Sequence, residues 1–491
     1  MKLETAAKYM NADASGINPA LLQTEFKTVA VDSREVQAGE VFFAFSQPDY
    51  KNNCFNDDFA DSHKFIPSAF EKGAVACVAR RDRFEEHGNA LEKFKDKLLF
   101  VDDAIFALQM LAKGVYEEWS KPVVAVTGSA GKTTAKTLIA EVLSARLKVL
   151  TNIKNFNNGI GHPLTVLRLL NEPDYEVAVL EMGMSTPMNE IARLCRITPP
   201  DVAVELNVLP VHVEHLGSIE NVAKAKAELV EGMKTGGTAV LNADDFRVLA
   251  MSELSKGEII TYGIESQAAD VTAKNISFDH FGETVFTLRT PNGEAEVLFP
   301  LNGRHNILNA LAAAATGCVF GMTAQEIAAA LHTVEPPPQR GEILRFQAGF
   351  TVINDSYNSN PHALVSMVQT LVDGGGKAAK RKIVVAGEMR ELGDDAAQIH
   401  RETGERIAEI GVDKLFGVEG FARNMLEGAR DAGLSDVEFY ADSQNAAEKF
   451  VDEVRAGDLI LIKGSRGVRT EKVVEKLLEK FELETPESSE S

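Results

Sequence analysis

The chain has 491 residues, 45% of them hydrophobic and 25% charged, and a formal net charge of −21 at pH 7. This length exceeds what one hydrophobic core supports and points to two or three domains. The acidic balance excludes a general basic surface for nucleic acid, so any anionic ligand must be met by local Lys/Arg, helix N-termini or a divalent metal.

The N-terminal "MKLETAAKYMNADASG" lacks an apolar core of signal-peptide length, and Cys54, Cys77, Cys195 and Cys318 are scattered without C-x-x-C spacing. The longest small-apolar run, "ALAAAATGCVFGM" (310–322), is too short to span a bilayer and reads as a buried helix. These features predict reduced thiols, a cytoplasmic location and no stable membrane insertion.

Residues 1–105 mix short strands ("TVAVDSREV", "GEVFFAF", "AVACVAR") with a helix at "FIPSAFEKGA". From 106 the rhythm is β–α, with buried strands expected in "PVVAVT", "KVLT", "EVAVLEMG", "DVAVELNV" and "TAVLNADD". Apolar strands separated by helices imply a parallel sheet covered on both faces. Residues 258–300 alternate instead and carry Asn292-Gly293, the chemistry of a small antiparallel insert with a hairpin. After the stiff "EPPPQRGE" junction, "FTVINDSY", "KIVVAGEM", "KLFGVEG" and "DLILIKGS" form a second βα series. The acidic tail from about 482 reads as disordered. The expected fold is three α/β domains. Residues 1–105 come first, 106–336 form a P-loop parallel-sheet domain with the insert, and 337–491 form a Rossmann-like domain.

In "VVAVTGSAGKTTAK" (123–136), a β-branched strand runs into Gly128-Ser129-Ala130-Gly131-Lys132-Thr133-Thr134 and then a helical pattern. Glycines let backbone N–H groups approach phosphate oxygens, and the helix N-terminus adds partial positive charge. Lys132 would bridge terminal phosphates and Thr133 would hold Mg²⁺; the bland alternative is a glycine-rich turn with an incidental lysine. Glu181 closes a buried strand, at the carboxyl edge where open α/β sheets bind ligands, and suits Mg²⁺. In "VHVEHLGS" (211–218), His212 suits a Mg²⁺ site better than zinc, because no cysteines accompany it. A capping or core histidine is the other reading there. Lys224 and Lys226 in "KAKAELVEG" read by themselves as two solvated helix lysines. Asn306 and Asn309 share a helix face and offer amides to an adenine edge, or cap the helix near Gly303.

Taken in order, "VTGSAGKTT", "NFNNGIGHPLTVL", "EMGM", "VHVEHLGS", "KAKAE", "LNADD", "GRHNILNA" and "INDSYNSNP" closely resemble the Mur ligase family of peptidoglycan biosynthesis. The resemblance spans all three expected domains. It implies ATP-driven amide formation through an acyl phosphate, with two Mg²⁺ ions and a carbamate on Lys226 joining Glu181 and His212 as metal ligands. "DSYNSNP" and "NFNNGIGHPL" fit the branch whose substrates are UDP-N-acetylmuramoyl-tripeptide and D-alanyl-D-alanine. By the same resemblance Arg340 and Asp355 lie beside the ATP ribose and phosphates, and Tyr357, Asn358 and Asn360 near the incoming dipeptide. Lys463 and Ser465 end the last strand, facing substrate or starting a helix turn. Ser33, Arg34, His63 and Asn158 fall in stretches like the family's UDP-muramoyl-binding start and its N-N-x-x-G-x-P run.

Two departures stand out: Ser62 replaces glycine in "DSHKF", and "VLPVHVEH" differs from the commoner I-G-P-A-H-L-E. A folate polyglutamylating relative is the nearest alternative, and it would lack the first 105 residues. A nucleotide switch is the other; the guanine-specific N-K-x-D stretch is absent, since "NIKN" (152–155) lacks its aspartate.

Overall fold

A computed structural model describes residues 1–55, 59–153, 155–184, 189–210, 216–280, 283–335, 338–375 and 379–484. Its strands form three sheets of four, nine and six strands.

The first sheet is wholly parallel, in the order β1 (Val29–Ala30), β2 (Val41–Phe43), β3 (Ala76–Arg80), β4 (Leu98–Val101). Both faces are covered. Val41, Phe43, Ala76, Val78 and Leu99 pack on one side, and Phe42, Cys77, Ala79 and Leu98 on the other, so these strands are apolar apart from Arg80 at the end of β3. The strand expected across "TVAVDSREV" is only two residues long, because Asp32 accepts from the Arg34 amide at 2.9 Å and turns the chain.

The central sheet contains β5 (Val123–Thr127), β6 (Val149–Thr151), β7 (Val177–Glu181), β8 (Val202–Glu205), β9 (Thr238–Asn242), β10 (Glu258–Gly263), β11 (Val271–His280), β12 (Glu283–Thr290) and β13 (Gly293–Phe299). Their order is β13-β12-β11-β10-β9-β8-β5-β7-β6, parallel from β6 to β11 and antiparallel beyond. The antiparallel segment is continuous with the central sheet. Through β10 it extends the parallel sheet, and its Phe286, Leu288, Val297 and Phe299 share a core with Val124, Val126 and helix Arg304–Val319. Strand order reverses at β5, which lies between β7 and β8. A crevice opens at such a switch point, outside the carboxyl ends of the strands.

The last sheet contains β14 (Glu342–Arg345), β15 (Thr351–Asp355), β16 (Arg381–Gly387), β17 (Lys414–Val418), β18 (Val437–Tyr440) and β19 (Asp458–Lys463), ordered β14-β15-β19-β16-β17-β18. All are parallel except the edge strand β14. At the start of the acidic tail, Gln347 donates to the Glu482 carbonyl and Glu484 to the Arg345 carbonyl, at 3.0 and 2.8 Å; the remainder of the tail lies outside the described residues. Among the described residues no helix is long and apolar enough to cross a membrane.

Candidate active site

The chain leaves β5 at Thr127, turns through Gly128–Gly131 and enters helix Lys132–Ser144. Gly131 sits at φ 82°, in the left-handed region, and a Cβ there would lie 2.7 Å from Asn309 Oδ1. Gly128 is equally constrained, since its Cβ would lie 2.8 Å from Leu206 Cβ. The loop is braced by Asn207, which sequence reading missed. Its carbonyl accepts from Ser129 N at 3.0 Å, and its side chain bonds Ala130 N and O at 2.8 and 3.1 Å. Ser129 Oγ in turn accepts from Leu209 N, and Thr134 is buried in the first helical turn.

Lys132 is half-buried, and its Nζ donates to the Gly128 carbonyl at 2.8 Å. Burial lowers its pKa; Glu181 opposes that shift and Arg340 adds to it. The Arg340 guanidinium thus reaches the field of the loop from the C-terminal side.

Glu181 ends β7 beside Val126 of β5 and is almost fully buried. Thr133 Oγ1 donates to one carboxylate oxygen at 2.9 Å, and Asn157 Nδ2 to the other at 2.8 Å. Asn152 fixes the backbone behind it by accepting from Glu181 N at 2.5 Å. Asn157 and Asn152 were also missed, although Asn157 directly precedes the predicted Asn158. A hydroxyl and a carboxylate held together in this way are hard-oxygen donors that fit Mg²⁺. His212 lies outside the described residues, and the described residues alone hold no group of three or more His/Cys/Asp/Glu suited to a metal.

Lys226 is not a solvated helix lysine. It is 1% exposed, and its Nζ contacts Thr127 Oγ1 at 3.4 Å. Burial first, and then the Lys132 charge, lower its pKa, which favours the neutral amine.

Asn306 and Asn309 are buried on one helix face, with Asn309 against Gly131 and Asn306 bonded to the Asn302 carbonyl at 2.8 Å. The Arg340 guanidinium stacks 4.0 Å from the Tyr357 ring centroid. Asp355 and Lys463 end the paired strands β15 and β19 and form an ion pair at 2.5 Å. Lys463 also donates to the Asn358 carbonyl at 2.8 Å. Ser465 Oγ accepts from Arg390 N at 2.9 Å. The Asn360 side chain accepts from Ala363 N at 2.8 Å, within the first turn of helix Pro361–Gly375. The Asn158 side chain similarly accepts from Ile160 and Gly161 at the start of helix Gly161–Leu167.

Ser33 and Arg34 lie past β1. Their carbonyls hold Lys72, and the Arg34 guanidinium pairs with Asp32 at 2.6 Å. Among the described residues no hydrogen bond ties them to the loop.

His63 is fully buried, with Nδ1 on Asp61 at 2.7 Å and Nε2 accepting from Arg80 N at 3.0 Å, so both ring nitrogens are engaged and the ring braces β3.

Two family models match in chain order: the Mur ligase middle domain over residues 126–317 and the Mur ligase glutamate ligase domain over 339–466. The UDP-N-acetylmuramoyl-tripeptide–D-alanyl-D-alanine ligase of Bacillus subtilis is 34% identical over 465 residues, covering 94% of this chain and 95% of its own. The Escherichia coli enzyme of the same name is also 34% identical, covering 92% and 93%. Among solved structures, MurF from Acinetobacter baumannii superposes with a TM-score of 0.85 at 26% identity, over 98% of this chain and 99% of that one. MurF from Thermotoga maritima in complex with ADP gives 0.79 at 27% identity, over 92% and 97%. A glycine loop braced at a switch point, two matched domains and full-length relatives place this chain in the Mur ligase family.

Proposed function

We propose that the protein is the cytoplasmic ATP-dependent ligase that joins D-alanyl-D-alanine to UDP-N-acetylmuramoyl-tripeptide in peptidoglycan biosynthesis. The observation that carries this is the convergence of Lys132, the Thr133–Glu181 pair and buried Lys226 at one strand-order reversal, in a chain whose full-length relatives bear that name. In this reading residues 1–105 bind the UDP-muramoyl group, 106–336 bind ATP, and 337–491 bring in the dipeptide.

The tripeptide's terminal carboxylate attacks the γ-phosphate of ATP and becomes an acyl phosphate. The dipeptide amine then displaces phosphate through a tetrahedral intermediate. Lys132 exchanges the Gly128 carbonyl for phosphate oxygens, while the first amides of helix Lys132–Ser144 face the same charge. Asn306 and Asn309 read the adenine edge, and Arg340 and Asp355 hold ribose and phosphates. Tyr357, Asn358 and Asn360, with Lys463 and Ser465, orient the dipeptide; Ser33, Arg34 and Asn158 contribute to the nucleotide-sugar side. Thr133 and Glu181 would hold one Mg²⁺, and His212 with a carbamate on Lys226 a second. Bound there, the metals neutralise phosphate charge as it is transferred.

The test is phosphate release from ATP with the tripeptide nucleotide, with and without D-alanyl-D-alanine. Sustained turnover is expected only with both. L-glutamate and single D-alanine should be poor acceptors, because a hydrogen-bonded site rejects analogues lacking the partner group. Efficient glutamate addition to a folate would sink the assignment.

A further inference from the structure

The ligation chemistry above makes no use of Glu205. This residue ends β8 directly beside Thr127 of β5. It is fully buried, and neither carboxyl oxygen has a hydrogen-bond partner. Only its backbone is engaged, where the carbonyl accepts from the Tyr262 hydroxyl at 3.1 Å.

Thr127 is also where Lys226 terminates, and the 3.4 Å bond between them is long. Lys226, from helix Ile219–Glu231, therefore ends on the residue whose strand neighbour is Glu205 of β8. Both are poorly satisfied. A buried polar group in that state costs stability until a partner arrives. The surrounding charges are Lys132, Glu181 and Glu190 about Lys226, and Asp245 about Glu205. Burial raises the Glu205 pKa well above the usual carboxylate range, against the pull of Lys226, and lowers that of Lys226.

We propose that Glu205 is a positioning residue for a carbamate on Lys226: its carboxyl donates a hydrogen bond to a carbamate oxygen and holds the modified side chain at the carboxyl edge of the sheet. This rests on the carbamate reading of Lys226 given above. The Nζ lone pair of Lys226 attacks the carbon of dissolved CO₂ and a C–N bond forms. One C=O electron pair moves onto oxygen, and a proton leaves Nζ for water. The two new oxygens are acceptors, on a side chain that ends at Thr127, the strand neighbour of Glu205.

The test compares wild type, Glu205→Leu and Glu205→Gln in the full chain, using ¹³C-bicarbonate NMR, thermal melting and steady-state kinetics. Glu205→Leu removes an unpaired buried carboxyl, so its Tm should equal or exceed that of wild type. Its carbamate resonance and kcat should both fall about ten-fold, the equivalent of one hydrogen bond to a charged group, with KM for ATP unchanged. Added bicarbonate should restore part of the loss. Glu205→Gln keeps an N–H donor and should retain both resonance and turnover. A Glu205→Leu protein with wild-type resonance and kcat overturns the proposal. If the leucine variant does not fold, a folded glutamine variant that has lost the resonance overturns it as well. Wild type without any resonance overturns the carbamate reading itself, and is recognised because no variant then responds to bicarbonate.

Discussion

The Lys132 ammonium donates to a carbonyl four residues back, and a bound triphosphate must replace that bond. Lys132→Ala should therefore lose about 3–4 kcal/mol of transition-state stabilisation, roughly a 10²–10³-fold drop in kcat. Stability should change by no more than about 1 kcal/mol, the net worth of one hydrogen bond. Near wild-type turnover would remove the loop from catalysis. His162 makes a different statement. It is fully buried on the Thr198 hydroxyl at 2.7 Å, and burial lowers its pKa to about 3 from 6.5. Above pH 6.5 neither folded nor unfolded imidazole is protonated and there is no penalty. As pH falls from 6.5 toward 3 only the unfolded state takes up the proton, so stability is lost across that window. Between pH 6.5 and 5 this amounts to about 2 kcal/mol, and His162→Gln should flatten the fall in urea midpoint. An equal slope in the variant would show that another group is responsible. The loop was legible because its residues are contiguous and their backbone demands are local. Asn157, Asn207 and Glu205 were not, because their roles arise from which strands lie side by side.

At the scale of elements, the turn between β5 and its helix holds only while residue 131 has no side chain. Gly131→Ala meets a left-handed backbone, worth about 1–2 kcal/mol against an L-residue, and a contact with Asn309 Oδ1 at 2.7 Å. The helix N-terminus should shift away from the phosphate position, and Mg·ATP affinity measured by calorimetry should fall at least about ten-fold, the equivalent of 1.4 kcal/mol. An unchanged Kd would mean that the helix start tolerates the displacement. Most parallel strands were readable from their apolar runs, because sheets buried on both faces allow little else. The continuity of β11–β13 with the central sheet was not readable. It depends on β10 pairing with β9 on one side and β11 on the other, a long-range register that no local pattern encodes. The edge strand β14 was hidden for a related reason: "EILR" is short and only half-buried.

Across the whole molecule, the three sheets differ in how self-sufficient they are. The last one is enclosed on both faces by its own chain. Phe346, Val352, Phe416, Ile460 and Val473 lie on one side, and Ile353, Leu364, Val384, Leu415 and Leu461 on the other. The first is not. One face of it packs into a core that also contains Leu108, Leu111, Ala125, Leu180 and Leu229 of the central region, and helix Ala104–Trp119 lies between the two. Gln109 strengthens that junction by donating to the Asn53 side chain at 3.3 Å and the Gly159 carbonyl at 2.9 Å. The sequence boundary at 105 thus cuts through shared packing, whereas the one near 337 separates distinct cores. A fragment of residues 338–491 should fold alone, with a cooperative thermal transition and dispersed amide resonances. A fragment of residues 104–491 should expose the apolar face of helix Ala104–Trp119 and aggregate or melt well below the full chain. At about 25 cal/mol per Å² of uncovered apolar surface, even a few hundred Å² equals a typical domain's net stability. A 104–491 fragment that melted as the intact protein does would show that the first sheet adds nothing to the central core.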